Sequence, residues 1–321
     1  MEQSMGRASI VTIADRRFVL AVYVLVASVR YHGVKSRITV LTTGLNPAEN
    51  ALFEQFEGVR VAESKISSNR NPTTLKGEAI LAAEKDETEY IALIDGDCIA
   101  TGDITTYLSP PRAGLYTREK SASEIAAIYH LRYQLDEERG TIPRQVLETW
   151  KDDVGEKGEP VSCTIVAAGN LTIHRSYLDF ARKWQAQMAH VLPDSDTGSA
   201  HDFSSFAYQQ LDESVLNSLL LFAHDAPPVH SYLLDKDPKA LVAHLGPSPK
   251  YWVMWSRQKL HHLEPVLQIL EWAKAEGYQL PKLTWCLKRR NKLLIYLAAN
   301  AHFVHKEARK ASKSVIKRIQ G

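Results

Sequence analysis

Four short aliphatic or β-branched runs pace the first ninety-odd residues of this chain, with a helical stretch between each and the next. The runs are Ser9–Ala14, Arg37–Thr42, Val59–Ala62 and Tyr90–Asp95. The intervening helices read as Arg17–His32, Pro47–Phe56 and Pro72–Lys85, the last with Thr73 or Thr74 near its start. Alternation of this kind predicts an α/β fold with a parallel sheet and helices on both faces.

The fourth run ends in Asp95-Gly96-Asp97. A strand sends alternate side chains to one side, so Asp95 and Asp97 can converge on a point where the strand meets solvent. Gly96 between them lets backbone approach a ligand. Ligands of open α/β sheets bind outside the carboxyl ends of the strands. Paired hard oxygen donors there suit Mg²⁺ or Mn²⁺ carrying a diphosphate. The bland alternative is a turn-capping Asp95 beside a solvated Asp97.

Past Leu108 the pattern changes. Ser121–Trp150 reads as mostly helical with a break at Gly140–Pro143, and Lys151–Pro160 as a charged loop. Ser162–His174 is strand-like and runs into a helix, Tyr177–His190. Leu192–Ser205 is a polar loop; its Asp194-Ser-Asp196 pair reads as a solvated turn. Phe206–Ala223 reads as one helix, Val229–Leu234 as a strand, Val242 onward as a loop rich in Gly and Pro, and Pro265–Glu276 as an amphipathic helix.

Charge is unevenly spread. Residues 281–321 carry eleven Lys or Arg and one acid, Glu307, so this segment is strongly basic and the rest mildly acidic. Its mixture of Trp285, Tyr296 and aliphatic residues with basic clusters suits an anionic membrane surface. A helix pair covering the domain is the competing reading. Nucleic acid is disfavoured, since no recognised motif for it is present. The longest apolar run, Phe18–Val29, is too short to span a bilayer, which needs about 20 residues. Cys98, Cys163 and Cys286 form no CxxC or disulfide framework, which points to a reducing cytoplasm. Cys98 reads as a small buried residue facing away from the Asp pair.

Two further constellations carry chemistry. In His244-Leu-Gly246-Pro-Ser-Pro-Lys250-Tyr-Trp252, imidazole can ligate a divalent ion, Gly246 can bring backbone near phosphate, and Lys250 can place charge on a leaving diphosphate. In Leu211-Asp212-Glu213-Ser-Val-Leu-Asn217, Asp212 is either an N-terminal helix acid or a catalytic one.

Together and in this order the pieces resemble glycosyltransferase family 8, the retaining enzymes typified by glycogenin and bacterial lipopolysaccharide galactosyltransferases. The resemblance covers roughly residues 9–252. Thr12-Ile-Ala14-Asp15-Arg-Arg-Phe18 is similar to the family's first strand and nucleotide-contacting turn, with Phe18 able to stack on uracil. Arg17-Phe18 replaces its usual Asn-Tyr pair. Asp95-Gly-Asp97 matches the metal motif. Ala167-Ala-Gly169-Asn170 resembles the Asn-x-Gly segment of the sugar pocket, with alanine in place of the first Asn. Asp212-Glu213 and Asn217 resemble an Asp-Gln-x-x-Leu-Asn element, and His244–Trp252 a His-x-x-Gly-x-x-Lys-Pro-Trp element.

The resemblance implies a GT-A-type nucleotide-sugar-binding fold over residues 1–255, with a mainly parallel central sheet, and a basic helical extension over 256–321. It implies Asp95, Asp97 and His244 as ligands to Mn²⁺ or Mg²⁺. Ala14, Asp15, Phe18, Lys76, Gly246 and Lys250 would hold the nucleotide, and Gly169, Asn170 and Asp212 the sugar. Asp212, Glu213 and Lys250 would be catalytic, with Glu213 standing where an amide is common. The implied reaction moves a hexose from a UDP-sugar to a hydroxyl of a glycan or glycolipid with retention, in the cytoplasm, at the inner face of the membrane if the tail binds there. Two other readings compete: a haloacid-dehalogenase-like phosphatase, which also uses Asp-x-Asp after a strand, and an inactive nucleotide-sugar-binding protein.

Overall fold

The computed structural model describes residues 7–66, 72–108, 110–121, 124–125, 142–155, 165–191, 206–208, 210–231, 241–246 and 249–320. Strand β1 (Ala8–Ala14) is buried along its whole length and pairs in parallel with β2 (Ile38–Thr42) on one side and β4 (Tyr90–Leu93) on the other. β3 (Val59–Glu63) extends the parallel set beyond β2. On the far side of β4 the sheet becomes mixed. β7 (Leu171–His174) is antiparallel to β4, β6 (Leu115–Thr117) antiparallel to β7, and β8 (Val229–Ser231) parallel to β6. The seven strands run in the order β3-β2-β1-β4-β7-β6-β8. A separate antiparallel ribbon joins β5 (Cys98–Ala100) to β9 (Val242–His244).

Alternate residues of the central strands feed two apolar cores, one on each face. Ile10, Val40 and Ala92 join one, and Val11, Leu41 and Ile91 the other. The first is filled by α1 (Val19–Tyr31), which buries every residue from Val19 to Val29, as a helix apolar on all sides must. Its Ser28 Oγ accepts from Ala100 N–H at 2.8 Å, tying the helix to β5. α2 (Pro47–Glu54) starts with a reciprocal cap between Asn46 and Glu49 and proline in its first turn. The second core holds α3 (Lys76–Ala82), α5 (Arg144–Val154), α6 (Leu178–Val191) and α7 (Leu211–Phe222); a short α4 (Thr105–Leu108) follows β5. Gly77 lets α3 and α6 touch: a Cβ there would lie 2.8 Å from Ala181 O.

α8 (Leu263–Ala275) packs on α1, and Leu263, Val266 and Leu267 belong to the same core as Tyr23 and Trp255. α9 (Lys292–Gln320) follows, with Ile295 and Ala299 buried. No described helix is long and apolar enough to cross a membrane.

Several boundaries differ from expectation. Lys151–Val154 continue α5, which stops at Gly155 (φ 71°), a left-handed terminus that suits glycine. Among the described residues from 165 on, the expected strand is Leu171–His174, where β4 offers a partner. Phe206–Ala223 is a single 3-10 turn (Phe206–Tyr208), a break at Gln210 and then α7. The α-helical part of Pro72–Lys85 begins only at Lys76. Val242–His244, expected as loop, is a strand because β5 pairs with it. The expected helix over 126–141, the loop over 192–205 with its Asp pair, the end of the strand over 232–234, and Cys163 lie outside the described residues.

Candidate functional site

β4 ends at Leu93, opposite Val11, while β1 continues to Ala14, and the turn Asp95-Gly96-Asp97 follows β4. Here a cavity of about 510 Å³ opens, walled by residues from β1's end, α3, the Asp turn, residues 118–120, residues 167–170, the start of α7 and residues 244–250. Gly96 has a packing reason: a Cβ would lie 2.6 Å from Val22 Cγ2 and 3.0 Å from Ile13 O. Its close approach is to α1 and β1.

Asp97 is buried and doubly met. His244 Nε2 lies 3.1 Å from its Oδ1, and Lys250 Nζ donates to its Oδ2 at 2.5 Å. Burial alone would raise the Asp97 carboxyl, but His244 and Lys250 together hold it far below the usual carboxylate range. The same contact works on His244: burial lowers it, the bond and charge of Asp97 raise it, and the net shift is upward. His244 sits at the mouth of the site because β9 pairs it directly opposite Cys98. Gly246 lies against that ring: a Cβ would fall 2.1 Å from His244 Nε2, so a side chain here would displace the imidazole from Asp97.

Donor atoms of Asp97, Cys98 and His244 lie within 4.8 Å of one another. Cys98 is fully buried as expected, yet it does not face away: its Sγ also lies 3.4 Å from the Asn170 amide. A carboxylate kept ionised beside an imidazole fits a divalent ion. Asp95 stands outside that group and is turned to Lys76.

Lys76 is 5% exposed and donates to three acceptors: Asp212 Oδ2 at 2.8 Å, Ala168 O at 2.8 Å and Asp95 Oδ1 at 3.1 Å. An ammonium has three N–H groups, so all are used. Burial would depress its pKa; the charges of Asp212 and Asp95 outweigh that and the net shift is upward. Beside it, Lys120 Nζ lies 2.6 Å from Glu213 Oε1. Burial pushes the Glu213 carboxyl up despite Lys120. The adjacent acids Asp212 and Glu213, unexplained by local sequence, thus each meet a lysine from another segment.

The segment over Asp95 is set by two asparagines. Asn217 on α7 accepts from Val166 N–H at 2.8 Å and donates to Val166 O at 2.9 Å, pinning the chain ahead of Gly169. Asn170 Oδ1 then accepts the Asp95 N–H at 2.9 Å. At Gly169 a Cβ would approach Asp95 Oδ2 to 3.0 Å. On the opposite wall, Phe18 meets Trp252 edge-on at 5.1 Å, and Lys250 Nζ lies 5.2 Å and 5.8 Å from the two ring centres.

Of the expected site residues, Phe18, Lys76, Asp95, Asp97, Gly169, Asn170, Asp212, Glu213, His244, Gly246 and Lys250 share this one cavity wall. Ala14 and Asp15 are not on it. Ala14 is fully buried, and the Asp15 carboxylate accepts the N–H groups of Arg17 (2.8 Å) and Phe18 (3.0 Å), opening α1. Arg118, Lys120 and Gln210 also line the cavity and were not expected. They sit in polar stretches with no motif; the bridge of Glu119 to Val166 and the Lys120 N–H bond to Ile165 O bring residues 118–120 opposite α7.

No family model and no curated protein matches this sequence. Among solved structures, the chain is similar to the bifunctional glycosyltransferase WbbM at 10% identity and a TM-score of 0.52, with 93% of this chain and 52% of that one covered. It is also similar to the glycosyltransferase GlyE of Streptococcus pneumoniae (14% identity, TM-score 0.49, 88% of this chain and 66% of that one). The third is the galactosyltransferase LgtC, solved with donor and acceptor sugar analogues (16% identity, TM-score 0.46, 83% of this chain and 95% of that one). The chain thus spans about half of WbbM and under two thirds of GlyE. The likeness is one of fold, and the fold is the GT-A type of glycosyltransferases.

Proposed function

We propose that this chain is a metal-dependent retaining glycosyltransferase of the family 8 kind, moving a hexose from a UDP-sugar to a hydroxyl of a glycan or glycolipid. The observation that carries the reading is Asp97 with His244 and Lys250 against it, at the carboxyl edge of the sheet where nucleotide ligands bind. Asp97 and His244 are the residues to hold a divalent ion, Mn²⁺ or Mg²⁺, with Asp95 the third candidate. Such an ion supplies Lewis acidity to the leaving diphosphate.

The protein's own groups account for the rest. Breaking the glycosidic bond of a nucleotide sugar makes the anomeric carbon cationic and the diphosphate more anionic. Lys250, on the cavity wall next to Phe18 and Trp252, adds fixed positive charge on the diphosphate side. The Phe18 ring offers its face to the base. Asp212, steadied by Lys76, accepts hydrogen bonds from sugar hydroxyls, with Gly169 and Asn170 flanking. Glu213 lies beneath the reacting carbon as nucleophile or electrostatic partner of the cation. Residues 1–255 form the catalytic unit. The basic extension 256–321 brings it to an anionic membrane surface on the cytoplasmic side.

The test is release of free nucleotide diphosphate from a panel of UDP- and GDP-sugars, with Mn²⁺ and with chelator. We expect slow, metal-dependent hydrolysis of one UDP-sugar, reduced at least about a hundredfold in Asp97→Asn. If calorimetry finds no metal-dependent UDP binding either, the transferase reading fails.

A further inference from the structure

Glu213 and Lys120 form an ion pair that faces the cavity and has no counterpart in the resemblance, where an amide is common at the position of Glu213. Their side chains are 13% and 8% exposed, and Nζ to Oε1 is 2.6 Å. The lysine is delivered by rigid backbone: Lys120 N–H donates to Ile165 O at 2.8 Å, and Glu119 bridges Val166. Its Nζ also reaches Gln210 Oε1 at 3.3 Å, just before α7.

The surroundings of Glu213 decide what it can do. Asp212 is its chain neighbour and another carboxylate. Of the other cations lining the cavity, Lys76 is committed to Asp212, Asp95 and a carbonyl, Arg118 pairs with Glu124, and Lys250 pairs with Asp97. Burial already lifts this carboxyl with Lys120 beside it, and without that counter-charge it would take up a proton at higher pH still. Protonated, it could neither attack an anomeric carbon nor stabilise a cation there.

We propose that Lys120 is a positioning residue for sugar transfer, holding Glu213 as an anion in the cavity floor and so fixing its role. The catalytic part rests on the transferase reading. The ion pair itself does not, and the two can fail separately.

The experiment is coupling of a small amine to carboxyl groups by a water-soluble carbodiimide on the full chain, with Glu213 followed by peptide mass mapping. Protonated carboxyls couple faster. At neutral pH we expect Glu213 to couple slowly in the wild type and in Lys120→Arg. In Lys120→Met, and in Lys120→Gln should the first not fold, coupling should be about tenfold faster, the change expected of a one-unit rise in pKa. Glu213→Gln provides the blank. Equal rates in wild type and the uncharged variants would overturn the proposal, as would Lys120→Arg behaving like Lys120→Met. With the UDP-sugar that the wild type hydrolyses, the uncharged variants should move the acid limb of the pH profile to higher pH with KM little changed. A Lys120 that merely joined two segments would leave that limb in place. If no UDP-sugar is turned over, the transferase reading falls, while the coupling rates still decide the ion pair.

Discussion

Lys76 shows how one side chain can organise a site. It leaves α3 into an almost closed space and satisfies two carboxylates and a carbonyl from three distant segments. A lysine on the first turn of a helix is usually solvated; this one is buried. Removing one partner of a buried pair typically costs about 3–5 kcal/mol, because the remaining charge stays buried. Here Asp95 and Asp212 keep 24% and 17% of their side-chain exposure, so Lys76→Met should fall at the low end, about 3 kcal/mol. Urea unfolding at neutral pH measures it. A loss below about 0.5 kcal/mol, the size of an ordinary surface change, would mean that water replaces the ammonium without cost.

At the scale of elements, what was legible follows from local signal. β1 to β4 and α1 to α3 announce themselves through buried β-branched runs and turn residues, and their order gives the parallel half of the sheet. β5 and β9 do not. Each is three residues long, and they pair only because the chain returns from Val242 to lie beside Cys98. That return puts His244 on Asp97, so the association of the two motifs was available from resemblance and not from periodicity. Lys120 had neither support.

The start of α8 carries a separate consequence. His262 precedes the helix and its ring lies 3.8 Å from that of His261. Burial first, and the neighbouring His261 second, lower His262 from 6.5 to about 4. The positive end of the helix acts in the same direction. The unfolded chain therefore takes this proton near pH 6.5 while the folded chain refuses it until about pH 4, so folding loses stability as pH falls across that window. Compared with its value at pH 7, wild-type stability at pH 5 should drop by about 1 kcal/mol more than that of His262→Gln, allowing for solvent at a ring that is not fully buried. NMR titration of the imidazole gives the midpoint directly. An ordinary midpoint, or equal drops in the two proteins, would count against it.

The whole molecule presents its two chemistries in different places: a charged cavity at the sheet edge, and a basic helix with an uncovered apolar stripe. At about 3.6 residues per turn, Leu293, Leu297 and Val304 fall on one line of α9, and all are more than half exposed, while Ile295 and Ala299 on the other side are buried. Between Leu293 and Val304 the helix is thus packed by one face and bare on the other. Its root is fastened to the body, with Arg289 on Glu264 and Glu271 and Lys292 on Glu264, so the bare face is held in a fixed direction relative to α8. Those pairings also consume two of the basic residues, leaving the apolar stripe with a larger share of any attraction to lipid than charge counting suggests. A surface that uses both terms should bind vesicles of phosphatidylglycerol in preference to phosphatidylcholine, and salt should weaken but not abolish the binding. Replacing Leu293, Leu297 and Val304 together by serine should lower the partition coefficient about tenfold or more in a sedimentation assay, since each apolar side chain lost from the interface contributes on the order of 1 kcal/mol. Binding that disappears in salt and ignores the triple substitution would assign the attraction to charge alone, and no binding to either vesicle would leave the stripe to a protein partner.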